Sequence, residues 1–162
     1  MKITRVFDFL YHQAENYPLA KSISHKIDGK WKSYSTQEAL GIINRLTWGL
    51  IQLGVQKDDK IAIASANRPE WNLIDLAMQQ IGAVSVPIYT TMTTDIYEYI
   101  CGHAEVDYIF IDGKDLFEKV KKVGEKRPFK GIYSFDKIEG CKHWSEVEAL
   151  GKEVDLEELK PY

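Results

Sequence analysis

The stretch "KIAIASANRPEW", residues 60–71, joins a short apolar run to a polar turn and then to the start of an amphipathic segment. The run "KIAIA" predicts a buried strand, and the residues that begin at Pro69 predict a helix. In α/β proteins, the turn between a parallel strand and a helix is a common place for a nucleotide to bind. The turn Ser65–Trp71 is therefore either part of a nucleotide site or a plain connection between two elements.

The residue types in this turn favour a plain connection. Asn67 is a good N-cap residue, Glu70 follows it at capping-box spacing, and Pro69 suits the first helical turn. A phosphate at this helix start would meet the negative charge of Glu70, and the turn has no glycine that would let a phosphate approach the backbone. We expect a capped corner here, without a bound phosphate.

Segments with helical and strand periodicity alternate on both sides of this stretch. Ser35 and Glu38 have the spacing of a capping box for the longest predicted helix, and Gly54 suits the position just after its end. The predicted elements are helices at 6–17, 35–54, 69–82, 95–104 and 114–123, a β-hairpin at 20–35 with an Asp-Gly turn, and strands at 60–66, 83–89, 107–111 and 131–135.

This order is a series of β-α-β units with near-continuous apolar strands, which helices cover on both faces. The sequence therefore predicts an α/β fold with a doubly wound, mostly parallel, Rossmann-like sheet and helices on both faces. We expect the hairpin to form an antiparallel edge of that sheet. Residues from Ser145 onward contain six carboxylates and two lysines and predict only a weak helix.

The composition is that of a globular protein of about one domain. The 162 residues are 44% hydrophobic and 28% charged, and the formal net charge of -3 gives no indication of nucleic acid as a partner. Two cysteines are too few for a disulfide framework and fit a reducing compartment. The chain starts without a signal-peptide pattern and has no apolar run long enough to span a bilayer. We expect a cytoplasmic protein, and peripheral contact with a membrane stays open.

Short catalytic motifs are missing from the sequence. It contains no G-x-G-x-x-G, no G-x-S-x-G, no H-E-x-x-H, and no P-loop with its Lys-Ser/Thr pair. Cys101 with His103, and Cys141 with His143, are thiol and imidazole pairs of the type that zinc binds. Structural zinc sites usually have wider ligand spacing, so we favour a core cysteine and a surface histidine and expect no metal site.

Two polar segments have both a functional and a structural interpretation. The lysines at 114–130 could bind phosphate or a membrane, but acidic residues are interleaved with them, which favours a solvated helix face. The run "YTTMTTD", residues 89–95, could line a ligand site with hydroxyl groups. Thr94 or Asp95 as a helix N-cap explains part of this run without a ligand.

Three stretches together resemble the N-terminal part of adenylate-forming acyl-CoA synthetases, and most closely the long-chain fatty acid–CoA ligases. They are "WKSYSTQEA" (31–39), the segment from "GLIQLG" to "VPIY" (49–89), and "YICGHAEVDYIFI" (99–111). The chain departs from the family pattern in two places. Asp58-Asp59-Lys60 stands where the family usually has Gly-Asp-Arg, and Ala104 stands where it usually has serine.

The resemblance implies a two-step reaction. ATP and a fatty acid form an acyl-adenylate and pyrophosphate, and coenzyme A then takes the acyl group, with magnesium offsetting the phosphate charge. The family's phosphate loop, adenine motif, ribose-binding aspartate and catalytic lysine have no counterpart in this sequence, so no catalytic residue is assigned.

The resemblance implies that residues 1–162 form one α/β domain, the N-terminal portion of a larger adenylate-forming domain. Alone, we expect this chain to be inactive, to bind none of these cofactors and to self-associate through exposed apolar surface.

The segment expected to approach substrate in such an enzyme is "PIYTTMT", residues 87–93, because it leaves the carboxyl end of a predicted strand. The candidate substrate-proximal residues are Pro87, Tyr89, Thr90 and Thr91. Packing of Pro87 and Tyr89 in a strand-to-loop bend is an equally good interpretation.

Two other functions stay open from the sequence. One is a non-catalytic binding module of flavodoxin or receiver type, although Asp58 and Asp59 precede a strand, whereas a receiver needs acidic residues where strands end. The other keeps the adenylating family but activates an aryl or short-chain acid.

Overall fold

The computed structural model of the chain describes residues 3–151. Its helices are α1 (Asp8–Asn16), α2 (Thr36–Gln52), α3 (Pro69–Gln80), α4 (Thr94–His103), α5 (Lys114–Lys126) and α6 (Trp144–Leu150). Its strands are β1 (Ile23–Ile27), β2 (Lys30–Tyr34), β3 (Lys60–Ala64), β4 (Val84–Pro87), β5 (Tyr108–Ile111), β6 (Gly131–Ser134) and β7 (Lys142–His143).

Strands β3 to β7 form one parallel sheet in the spatial order β4-β3-β5-β6-β7. From β3 the chain first moves outward to β4, and it then returns to place β5 on the other side of β3. The predicted doubly wound α/β fold is therefore confirmed. The reversal of direction puts a topological switch point between the carboxyl ends of β3 and β5, where sheets of this kind bind ligands.

Each face of the sheet packs on its own layer of helices. Ile61 and Ile63 of β3 belong to a core that includes residues of α2, α3 and α6. Ala62 and Ala64 belong to a second core with residues of α4 and α5. Because successive side chains of a strand point to opposite faces, the run "KIAIA" contributes to both cores. The run does not alternate between apolar and polar residues, and this pattern correctly indicated burial on both faces.

The hairpin β1–β2 forms a two-stranded sheet of its own, so the expectation that it extends the parallel sheet is wrong. Asp28 (φ 48°) and Gly29 (φ 76°) make its turn, and both have the positive φ that a tight hairpin turn of the I′ type requires. Ile23 and Tyr34 pack against the core on the α2 and α3 side of the sheet. These contacts hold the hairpin against the helices and away from the edge strands β4 and β7.

One helix start follows the predicted cap, and two others differ from it. Ser35 caps α2 as predicted: its Oγ accepts from the amide of Glu38 at 3.2 Å, and Glu38 Oε2 accepts from the amide of Ser35 at 2.7 Å. The N-cap of α3 is Arg68 and not Asn67, and it makes no side-chain cap hydrogen bond. Pro69 takes the first helical position, as expected. The predicted cap at Thr94 or Asp95 is also displaced, since Thr93 is the N-cap of α4.

The sequence did not predict β7, and it placed the final helix only as a weak tendency. The imidazole of His143 accepts from the amide of Ser145 at 3.4 Å, and Glu146 Oε1 accepts from the amide of His143 at 2.8 Å. Histidine is an unusual residue for such a cap, which explains why the start of α6 was not recognised. The rest of the acidic segment beyond residue 151 lies outside the described residues.

Helices α2 and α6 pack so closely at Gly49 that a side chain there would collide with the backbone of α6. A Cβ atom added to Gly49 would lie 1.9 Å from the carbonyl oxygen of Val147. We expect Gly49→Ala to lower the free energy of unfolding by about 2 kcal/mol or more, because backbone atoms must move apart. Gly102, a helical position in α4 where an added Cβ meets nothing within 4 Å, is the matched control.

Urea unfolding followed by circular dichroism measures this difference. We expect Gly102→Ala to be neutral or to stabilise by up to about 1 kcal/mol, because alanine favours the helix over glycine. Equal stability of the Gly49→Ala variant and the wild-type chain would contradict the α2–α6 packing described here.

Candidate functional site at the carboxyl ends of the strands

An open groove of about 490 Å³ lies at the carboxyl ends of β3 and β4. We call it the strand-end groove. Ile63, Trp71, Pro87 and Ile88 are apolar lining residues, and of these Ile63 and Ile88 are buried while Trp71 and Pro87 are more accessible. Its other lining residues come from the turn after β3 and from the segment after β4; they are Ser65, Ala66, Asn67, Tyr89 and Thr90. The groove therefore combines apolar lining residues with residues that carry hydroxyl and amide groups.

The structure brings three of the four sequence-predicted residues to this groove. Pro87, Tyr89 and Thr90 line it. The Tyr89 side chain is 76% exposed, so it does not pack in a bend as the structural interpretation required. Thr91 is exposed and is not part of the lining. The groove lining therefore includes three residues of the predicted segment, and their contact with a substrate stays a prediction.

A second open groove of about 480 Å³ adjoins the first and shares Ala66 and Thr90 with it. Its remaining lining residues come from the end of β5 and the first half of α5; they are Asp112, Gly113, Lys114, Asp115, Leu116 and Lys119. Because the two grooves share Ala66 and Thr90, they lie side by side at the carboxyl ends of β4, β3 and β5. Thr90 lies at the junction.

Asp112 links the carboxyl ends of β3 and β5 at the switch point by accepting hydrogen bonds from the turn after β3. Its Oδ2 accepts hydrogen bonds from the amide of Ala66 at 2.8 Å and from the hydroxyl of Ser65 at 3.0 Å. The Ala66 amide after β3, which could have faced a phosphate, thus already donates to a carboxylate of the protein. This geometry supports the expected corner, although the group that completes it was not recognised in the sequence.

A second carboxylate, Asp136, joins the turn after β6 to its neighbours. Its Oδ2 accepts from the amide of Gly113 at 3.0 Å, and its Oδ1 accepts from Arg68 Nη1 at 3.1 Å. Arg68 Nε also donates to Glu70 Oε2 at 3.0 Å. Burial disfavours the charged form of Arg68, but the hydrogen bonds and negative charges of Glu70 and Asp136 outweigh it and raise the pKa of the guanidinium. Glu70 therefore pairs with Arg68 and does not act as a capping-box partner.

The loop after β4 is held by side chains from α4 and α5. The hydroxyl of Tyr97 donates to the carbonyl oxygen of Tyr89 at 3.2 Å, and Lys119 Nζ donates to the carbonyl oxygen of Thr90 at 3.1 Å. Burial raises the pKa of Tyr97 to about 12, so its hydroxyl stays protonated and remains a donor at neutral pH. The rim of the groove is thereby tied to the helix layer beneath it.

The thiol and imidazole groups that could have bound zinc have separate structural roles. Cys101 is fully buried in the core under α4 and α5, and burial raises the pKa of its thiol to about 11. The His103 ring stacks on Tyr99 with their centroids 5.6 Å apart, and His143 caps α6. Within residues 3–151, no group of three or more His, Cys, Asp or Glu side chains could hold a metal ion.

Helix α5 buries one face and turns its lysines outward, except Lys119, which is partly buried and reaches the loop after β4. Leu116, Phe117, Val120 and Val123 are buried in the sheet core, and Lys126 pairs with Glu98 at 2.7 Å on the surface. This placement agrees with a solvated helix face.

Across residues 3–151, none of the helices has the length and apolar character needed to cross a membrane.

Comparison with known proteins places these features in a family. Over 135 residues the chain is 35% identical to fatty acyl-CoA synthetase A of Dictyostelium discoideum, which covers 83% of this chain and 19% of that protein. It is 32% identical over 122 residues to long chain acyl-CoA synthetase 4 of Arabidopsis thaliana, covering 71% of this chain and 18% of that protein. The chain thus spans less than a fifth of the length of these two relatives.

Solved structures show the same fold. A long-chain-fatty-acid CoA ligase of Rhodopseudomonas palustris matches with a TM-score of 0.76 at 20% identity, covering 89% of this chain and 36% of that chain. The family model for AMP-binding enzymes matches residues 10–160, which is nearly the whole sequence. The resemblance found in the sequence is confirmed, and the chain belongs to the family of AMP-binding enzymes.

Proposed function

We propose that the chain is the N-terminal portion of a long-chain fatty acid–CoA ligase. The observation that supports this most directly is the 35% identity to a fatty acyl-CoA synthetase across 83% of the chain. The parent enzyme would join a fatty acid to ATP as an acyl-adenylate, release pyrophosphate, and pass the acyl group to coenzyme A. Residues 1–162 would then be one part of a larger adenylate-forming domain.

The described residues fit an apolar acid better than they fit nucleotide phosphates. Trp71 and Pro87 give the strand-end groove apolar surface that an alkyl group can contact. At the turn after β3, in contrast, the Ala66 amide already donates to Asp112 and is not free for a phosphate. We therefore place the sites for ATP, magnesium and coenzyme A outside residues 3–151, and we assign no catalytic residue to this part of the chain.

In this proposal, Tyr89 and Thr90 contact the acid substrate. The Tyr89 ring provides an exposed aromatic face at the groove, against which an alkyl chain can pack. Thr90 lines both grooves, and its hydroxyl is a group that can orient a polar part of the substrate. Thr91, outside the lining, is the weaker candidate of the predicted set.

Cellular location and assembly belong to the same proposal. We propose that the parent enzyme acts in the cytoplasm, and that it contacts membranes, if at all, at their surface. The edge strand β4 leaves Val84 44% exposed, which gives the isolated chain an apolar surface through which it can self-associate.

The reaction is tested by fatty-acid-dependent exchange of pyrophosphate into ATP. We expect the parent enzyme to catalyse exchange with palmitate and to be far less active with benzoate or acetate. We expect residues 1–162 alone to give no exchange above a control without enzyme. Exchange only with benzoate or acetate would assign a different acid, and exchange by residues 1–162 alone would show that catalytic groups lie within this chain.

The role of the groove is tested by Tyr89→Ala in the parent enzyme. Loss of the aromatic contact is expected to raise the KM for fatty acid by about three- to tenfold, with kcat changed less. Tyr99→Ala is the matched control, because Tyr99 is 68% exposed but lies on α4, outside the groove lining. Unchanged kinetic constants in the Tyr89→Ala variant would remove the groove from the proposal.

A further inference from the structure

The loop after β4, residues 89–93, depends on two side chains outside it for its shape. The carbonyl oxygen of Tyr89 accepts from the Tyr97 hydroxyl at 3.2 Å, and that of Thr90 accepts from Lys119 Nζ at 3.1 Å. The carbonyl oxygen of Met92 accepts from the same ammonium group. One backbone hydrogen bond, from the Met92 amide to the Tyr89 carbonyl oxygen at 3.2 Å, closes the turn from within.

Lys119 and Tyr97 also support each other. The ammonium of Lys119 lies 4.9 Å from the centre of the Tyr97 ring, so the cation rests near an aromatic face while it donates to two carbonyl groups. Tyr97 is fully buried, and Val120, next to Lys119 on α5, is buried in the same core. Both donors therefore start from well-packed helices and not from mobile surface segments.

We propose that Lys119 is a positioning residue for the acid substrate. Its two hydrogen bonds bracket Thr91 and fix the backbone on either side of it, which sets the direction of the Thr90 side chain at the junction of the two grooves. The inference rests on the proposed function, since it concerns the same groove and the same substrate. Lys119 acts through Thr90 and Tyr89 and need not touch the acid itself.

The position of Lys119 distinguishes it from the other lysines of α5. Hydrogen bonds from a charged donor are stronger than those between neutral groups, and this one spans 29 residues of sequence to reach the loop. Lys122, on the same helix, is exposed. Replacing either lysine removes one positive charge from α5, but only Lys119 contacts the loop carbonyl groups described above.

The experiment compares Lys119→Met, Lys119→Arg and Lys122→Met in the parent enzyme. We expect Lys119→Met to raise the KM for fatty acid about tenfold, because a loop displaced by a fraction of an ångström aligns the substrate poorly. Its KM for ATP should stay within about twofold. Lys119→Arg restores a cationic donor and should recover most of the fatty-acid affinity, while Lys122→Met should match the wild type.

A merely structural role predicts a different pattern. In that case Lys119→Met would change neither KM, or it would lower kcat and raise both KM values together with a loss of thermal stability that Lys119→Arg does not repair. Either result would overturn the inference.

Tyr97→Phe is a second variant, which removes only the hydroxyl and changes the packing little. We expect it to raise the KM for fatty acid roughly two- to threefold.

Hydrogen–deuterium exchange on the same proteins tests the loop without measuring activity. We expect residues 89–93, and the Met92 amide above all, to exchange at least about fivefold faster in Lys119→Met than in Lys122→Met. Unchanged exchange would overturn the inference. If exchange rises but the wild-type enzyme has no fatty-acid-dependent activity, Lys119 still holds the loop, and the proposed function fails together with the role in acid binding.

Discussion

Burial of β3 on both faces and both edges is the constraint on which the rest of the structure depends. Ile61, Ala62, Ile63 and Ala64 are all fully buried, and the strand pairs with β4 on one side and with β5 on the other. Each buried isoleucine contributes about 1.5–3 kcal/mol, and no polar side chain could be placed among these residues without a partner. The first polar side chain after this buried run is therefore Ser65, where the chain leaves the neighbouring strands. This is why the grooves lie at the strand ends.

Local patterns predicted what local physics decides. The apolar run of β3, the Asp-Gly turn of the hairpin and the Ser35–Glu38 capping box all depend on residues a few positions apart, and all were confirmed. The predicted N-cap of α3, Asn67, was wrong because the side chain of Arg68 is held by Asp136, a residue far away in sequence. A rule that considers only the four residues around Asn67 cannot include that ion pair.

The candidate site shows the same division. The sequence analysis proposed Pro87, Tyr89 and Thr90 because ligands bind at strand ends in a doubly wound sheet, a rule that needs only the order of elements. The structure places them at the groove, and their contact with a substrate stays a prediction. Asp112 was missed because its role exists only once β5 lies beside β3, where its carboxylate reaches the Ser65 hydroxyl and the Ala66 amide. Asp112 directly follows the predicted strand 107–111, so the strand-end rule also applies to it, but its neighbours in the sequence do not show which groups its carboxylate accepts from.

The topology also explains how a lysine on α5 reaches a loop that precedes α4. Both helices pack on the same face of the sheet, since their buried residues Tyr97, Cys101 and Val120 belong to one core. The loop from β4 to α4 must cross that face near the carboxyl ends of the strands, and α5 starts from the same end, just after β5. Side chains from the first turns of α5 therefore face the loop. Contact between α5 and the loop at the groove rim is thus a geometric consequence of winding β4, β3 and β5 in this order.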